Sequence, residues 1–184
     1  MKTFLAKIYR SLGMPKGIQL LLMRITQDRF LVGVTGVIFN DKDEVLLFKH
    51  TYRQVEWSLP GGYIKAREHP KEGLEREIKE ESGLVIGVDF RLKIRTDRDT
   101  PRLDLCYVGK YLGGEFKPSA EVSEIGFFTS EKLPLLLVDQ LLLIEQARNK
   151  KLTRESVTSH KTQNGWKRRF ERYFAQLNKK EELS

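Results

Sequence analysis

Gly62-Tyr63-Ile64-Lys65-Ala66-Arg67-Glu68, seven intervening residues, and then Arg76-Glu77-Ile78-Lys79-Glu80-Glu81-Ser82-Gly83-Leu84 carry most of the chemical information in this 184-residue chain. The pattern predicts a helix over 70–82, with Pro70 in the first turn, where a missing N–H costs nothing, and Gly83 placed to end it. On that helix Glu77, Glu80 and Glu81 are spaced i, i+3 and i+4, so the three carboxylates share one face. Three like charges on one face destabilise an isolated helix, and cations would relieve them. An oxygen-only set of ligands favours Mg²⁺, Ca²⁺ or Mn²⁺ over Zn²⁺. Glu68 can reach the same place from the preceding loop, Arg76 can brace a carboxylate from behind, and Gly62 offers a bare backbone carbonyl. Taken alone, the three glutamates also fit a solvated acidic face braced by Lys71, Arg76 and Lys79.

Outward from this helix the pattern alternates between strands and breaks. Residues 30–39 are rich in Val and Ile and predict a buried strand, 40–43 a turn, and 44–50 its antiparallel partner. Pro60-Gly61-Gly62 breaks the chain after Trp57 and Leu59. Beyond the helix, 84–94, 103–112 and 124–128 read as strands, and 135–147 as a mostly apolar helix. Strands, then helix, then strands fit an α/β or α+β sandwich better than a doubly wound parallel sheet. Gly73 interrupts the central helix at a cost of about 1 kcal/mol relative to Ala.

Composition narrows the class further. With 40% hydrophobic and 10% aromatic residues the chain suits one domain with its own core. The single cysteine, Cys106, cannot form an internal bridge, so nothing points to an oxidising compartment. No apolar run approaches the roughly 18 residues that span a bilayer, and Lys7, Arg10 and Lys16 break up any signal-like stretch. A cytoplasmic protein is the expectation. The net charge of +8 is uneven: residues 1–30 carry +5, residues 148–184 carry +7, and 31–147 carry −4. An acidic centre is thus flanked by two basic arms. Residues 1–30 read as a basic amphipathic helical arm, with Phe4, Leu5, Ile8 and Leu12 at helical spacing. Residues 148–184 read as a basic linker followed by an amphipathic helix, with Trp166, Phe170, Tyr173, Phe174 and Leu177 on one face.

The full spacing is Gly, five residues, Glu, seven residues, then Arg-Glu-apolar-x-Glu-Glu-x-Gly-apolar. Seven fixed positions at ordinary residue frequencies arise by chance about once in 10⁸ starting points. The pattern resembles the box of the Nudix hydrolase family at every fixed position. The resemblance extends over 31–134 and includes Trp57-Ser58-Leu59-Pro60-Gly61-Gly62; the basic ends take no part. It implies an α/β/α sandwich around a mixed sheet over 31–147, with extra N- and C-terminal helices outside it. It also implies hydrolysis of a diphosphate bond in a nucleoside diphosphate linked to another group X, with Mg²⁺ or Mn²⁺ as cofactor.

Carried onto this chain, the resemblance makes Glu80 and Glu81 the principal metal ligands and Glu77 a ligand or near neighbour. Glu68, Arg76 and the Gly62 carbonyl support them. A general base is expected either in the box or on a later loop, where Glu121 and Glu124 are the candidates. Arg53, after a strand leading to the cleft, is a candidate phosphate grip. Trp57 fits the core better than base stacking, and His69 fits a helix cap. Pro101, 17 residues after Leu84, stands near a proline of ADP-ribose-type enzymes, which favours ADP-ribose or a similar small nucleotide derivative as substrate. The alternatives are a pyrophosphohydrolase acting on RNA 5′ ends, held by the basic arms, and a catalytically silent binding module of the same fold. An isomerase of this fold would need a cysteine nearer the box than Cys106. RNA or an anionic membrane surface is compatible with the basic ends, but docking on the catalytic domain, or on a second subunit in a homodimer, is the preferred reading.

Overall fold

The computed structural model describes residues 15–18, 30–96 and 100–161. The amphipathic helices expected in 1–12 and 166–177 lie outside the described residues. The elements run β1 (Leu31–Phe39), β2 (Val45–His50), β3 (Trp57–Ser58), β4 (Gly61–Tyr63), α1 (Pro70–Ser82), β5 (Leu84–Thr96), β6 (Arg102–Gly114), β7 (Val122–Phe128), a single 3-10 turn (Ser130–Lys132) and α2 (Val138–Lys161).

β1 and β2 are apolar at consecutive positions because both of their faces are covered. Val37 and Phe39 of β1, with Val45 and Leu47 of β2, pack on Leu143, Ile144 and Ala147 of α2. Their neighbours Val34, Ile38, Leu46 and Phe48 face the other way, onto Leu74 and Ile78 of α1. The sheet is mixed. β1 runs parallel to β6, from Leu31 opposite Arg102 to Phe39 opposite Lys110, and antiparallel to β4. The remaining pairs, β1 with β2, β2 with β3 and β7, and β5 with β6, are antiparallel. Two helical layers around a mixed sheet form the expected sandwich.

The helix bounds expected for α1 are met at both ends, and the caps explain why. His69 accepts from the Lys71 N–H while the Glu72 side chain accepts from the His69 N–H, and Gly83 closes the helix at φ 75°. The second helix differs from expectation. It begins at Val138 rather than 135 and runs to Lys161, through the segment read as a linker from 152 onward. Its basic residues are held on the domain: Arg148 and Lys151 reach Asp43, and their side chains lie over the Phe39 ring. Lys150 and Arg154 lie over Phe90. Apolar stems and ring faces thus replace the hydrophobic stripe that sequence reading looks for.

Candidate active site

The loop from Ile64 to His69 delivers Glu68 to the start of α1. Arg67 takes a left-handed conformation there, at φ 69°, and the Lys65 N–H donates to the Glu68 carboxylate at 3.0 Å. Arg76, in the second turn of α1, gathers the acidic side chains. Its Nε donates to Glu68 at 2.6 Å, and its Nη1 donates to Glu77 at 2.7 Å and to Glu80 at 2.9 Å. Its Nη2 donates to Glu68 and to the Tyr63 carbonyl. These bonds hold the Glu68 carboxyl well below the usual carboxylate range, and Arg76 with Lys65 lowers Glu80 as well. Gly73 is packed against this arrangement. A Cβ on it would stand 3.0 Å from a Glu68 carboxylate oxygen.

Glu81 has a different environment. One of its carboxylate oxygens is buried with no hydrogen-bond partner. Burial, reinforced by the charges of Glu121 and Glu77, pushes its carboxyl up to about 7. Glu77 lies between the two environments, bonded to Arg76 yet lining the same cleft as Glu81. Gly62 makes room for it, since a Cβ there would sit 2.5 Å from the Glu77 carboxyl carbon.

The cleft has a volume of roughly 890 Å³, the size of a site for a small organic ligand. Gly61, Gly62, Glu77, Glu81, Glu121 and Arg53 line one part of it. Glu121 arrives on a loop tied to the end of β2: its carbonyl accepts from the Thr51 N–H, and the Thr51 hydroxyl donates to the Ala120 carbonyl at 2.9 Å. A register shift at Lys49 and His50 in the β2–β7 pair accompanies this approach. Arg53 donates to the Ser58 hydroxyl at 2.9 Å, which anchors its guanidinium at the cleft wall.

Of the residues singled out in the sequence, the fold therefore brings Gly62, Glu77, Glu81, Glu121 and Arg53 together around the cleft. Glu68 and Glu80 stand behind them on Arg76. Glu124 does not join them; it lies on β7, paired with Lys49 at 3.4 Å. Trp57 packs edge-on against Phe128, His69 caps α1, and the buried Cys106 thiol is pushed up to about 11. Sequence reading missed Thr35, Arg95, Arg102, Asp104 and Gln140, which line the rest of the cleft. Asp104 alone left a trace, as an acid between Leu103 and Leu105 in a strand that is buried at that point.

Among the described residues, no three His, Cys, Asp or Glu side chains converge as a metal cage. The donor chemistry nonetheless fits a hard divalent ion: every acceptor is oxygen, and the Glu81 oxygen has no other partner.

The NUDIX domain model matches residues 29–155. An ADP-ribose pyrophosphatase of Methanocaldococcus jannaschii is 34% identical over 121 residues, covering 62% of this chain and 70% of that protein. The 8-oxo-dGDP phosphatase NUDT18 of Mus musculus is 30% identical over 139 residues, which is 71% of this chain and 42% of that longer protein. A crystal structure of an ADP-ribose pyrophosphatase from Streptococcus suis superposes with a TM-score of 0.57 at 28% identity, covering 65% of this chain and 92% of that one. Members of this family generally use a divalent metal. With a complete box on α1 and a cleft lined by its glutamates, the chain belongs to the NUDIX family and is a Nudix hydrolase, a pyrophosphohydrolase of nucleoside diphosphate compounds.

Proposed function

We propose that the protein hydrolyses ADP-ribose, or a nucleoside diphosphate derivative of similar size, with Mg²⁺ or Mn²⁺ held by Glu77, Glu80, Glu81 and the Gly62 carbonyl. The observation that carries this reading is the buried, unpartnered oxygen of Glu81 facing Glu77 and Glu121 in one cleft. The metal, when bound, offsets phosphate charge and makes a coordinated water acidic. The chain does the rest. Arg76 fixes the rotamers of Glu77 and Glu80 before any ligand arrives, so less ordering remains for the binding step. Arg53, anchored on Ser58, grips a phosphate oxygen. Glu121, held by Thr51, takes the proton of the attacking water. Water adds across the anhydride, and ADP-ribose leaves as AMP and ribose 5-phosphate. The relatives named for ADP-ribose support this substrate class.

The test is product release from a panel of ADP-ribose, sugar nucleotides, CDP-alcohols, dinucleoside polyphosphates, NTPs, 8-oxo-dGDP and 5′-triphosphate RNA, each with Mg²⁺ and with Mn²⁺. ADP-ribose standing well above the others is the expected result. Flat ADP-ribose turnover beside rapid cleavage of another member removes the assignment. Silence across the panel, with metal bound, favours a binding module.

A further inference from the structure

The part of the cleft farthest in character from Glu81 is built around a buried acid. Asp104, on β6, is 4% exposed and accepts from Thr35 Oγ1 at 3.0 Å, from Arg95 Nε at 3.0 Å and from Arg95 Nη2 at 2.8 Å. Arg102 Nη2 stands 3.5 Å from its other oxygen. A carboxylate surrounded in this way has little capacity left for a sugar hydroxyl. Its role is to hold two guanidinium groups at the cleft wall. Gly33 of β1 leaves the space for this, because a Cβ there would stand 2.9 Å from both Arg102 Nη2 and Asp104 Oδ1.

One carboxylate cannot neutralise two arginines. Among the described residues, Arg95 Nη1 pairs with Asp139 Oδ2 at 3.7 Å, an acid whose side chain is 79% exposed and therefore weakly coupled. Arg102 lies over the Tyr63 ring at 5.1 Å, with Nη1 3.5 Å from the Tyr63 hydroxyl. Gln140 adds a third donor: its Oε1 accepts from the Leu59 N–H at 2.9 Å, which reserves its Nε2 hydrogens for other partners. All of these residues line the same cleft as Glu77, Glu81 and Glu121. Besides its glutamates the cleft thus holds the Nη1 groups of Arg95 and Arg102 and the amide of Gln140 as donors. Charged N–H donors of this kind pair with the oxygens of a phosphate monoester.

We propose that Arg95, Arg102 and Gln140 form a subsite for a second phosphate group of the substrate, one that lies outside the diphosphate being cleaved. The subsite rests on reading the cleft as the nucleotide site. It adds affinity for derivatives of the proposed substrate that carry a phosphate monoester on either the nucleoside or the X side, and Asp139 is the weak occupant that this phosphate displaces from Arg95.

The test is calorimetric binding to the full-length protein with Mg²⁺ present. The probes are AMP against adenosine 2′,5′- and 3′,5′-bisphosphate, and ribose 5-phosphate against ribose 1,5-bisphosphate. At least one bisphosphate is expected to bind about tenfold more tightly than its monophosphate, the usual effect of one added charged hydrogen-bonded contact. Arg102→Gln abolishes that preference, whereas Asp139→Asn, at an exposed position that does not threaten the fold, keeps or enlarges it. Equal binding of all bisphosphates and monophosphates by the wild type overturns the subsite, and so does a preference that survives Arg102→Gln. The two levels of the argument separate cleanly. A bisphosphate preference without hydrolysis of any diphosphate removes the proposed activity and keeps the subsite. Brisk hydrolysis without the preference does the reverse.

Discussion

On the Arg76 side of α1 every carboxylate has a cation, whereas on the cleft side buried polar groups lack partners. Glu68 and Glu80 are bonded to Arg76, and Lys65 adds a further ion pair to Glu80 at 3.3 Å. Across the helix, one oxygen of Glu81 and both ring nitrogens of His50 are buried without a hydrogen bond. Glu80 and Glu81 are consecutive in the chain, yet their carboxyls shift in opposite directions. Arg76 pre-orders the carboxylates on its own side, and the cleft side retains unpartnered groups that a ligand can use.

Glu81→Gln tests this division most severely. Turnover should fall about a thousandfold, while denaturant stability holds or rises, because an uncompensated buried charge is removed. Near wild-type turnover would move the metal-binding role to another residue. Arg76→Ala should act in the opposite sense. It strands Glu68 and Glu77 without their counter-charge and costs about 3 kcal/mol in denaturant stability. A loss below about 1 kcal/mol would show that solvent already screens the cluster.

His50 extends the contrast to pH. Burial, with the nearby Arg53 charge, lowers its imidazole to about 4, so the ring is neutral when folded. As pH falls below about 6.5 the unfolded chain takes up the proton first. The stability due to His50 is complete above that pH, declines between about 6.5 and 4, and is level below. Discounted for partial solvent access, the loss is of order 1–2 kcal/mol. It should appear as the difference between the pH–stability curves of wild type and His50→Leu, because the variant lacks the decline. The smallest effect is expected for Gly73→Ala. The gain in helix propensity, about 1 kcal/mol in an open helix, should be partly cancelled because Glu68 has to shift. A full gain in thermal stability would mean that Glu68 is not firmly held.

How far these features were legible in the sequence follows from the distances over which they are determined. α1 was readable to the residue because its caps lie within three positions of its ends. β1 and β2 were readable from continuous apolar runs. The short strands β3 and β4 were hidden by Pro60 between them, since their pairing depends on β2 and β1 rather than on their own composition. Sequence chemistry treats Glu80 and Glu81 alike; only packing against the Glu121 loop distinguishes them. The arginine lining of the cleft was illegible for the same reason, because Thr35 and Asp104 are 69 positions apart and meet only across the parallel β1–β6 pair.

The docking of Arg148, Lys150, Lys151 and Arg154 along α2 changes what the basic C-terminal stretch can offer a polyanion. Of the eleven Lys and Arg in residues 148–184, these four already lie on acids or aromatic rings of the domain. Of these contacts only the Asp43 carboxylate, shared by Arg148 and Lys151, offsets charge, because a neutral ring leaves that of Lys150 and Arg154 in place. The slope of log affinity against log salt should therefore be shallower than the raw charge count suggests.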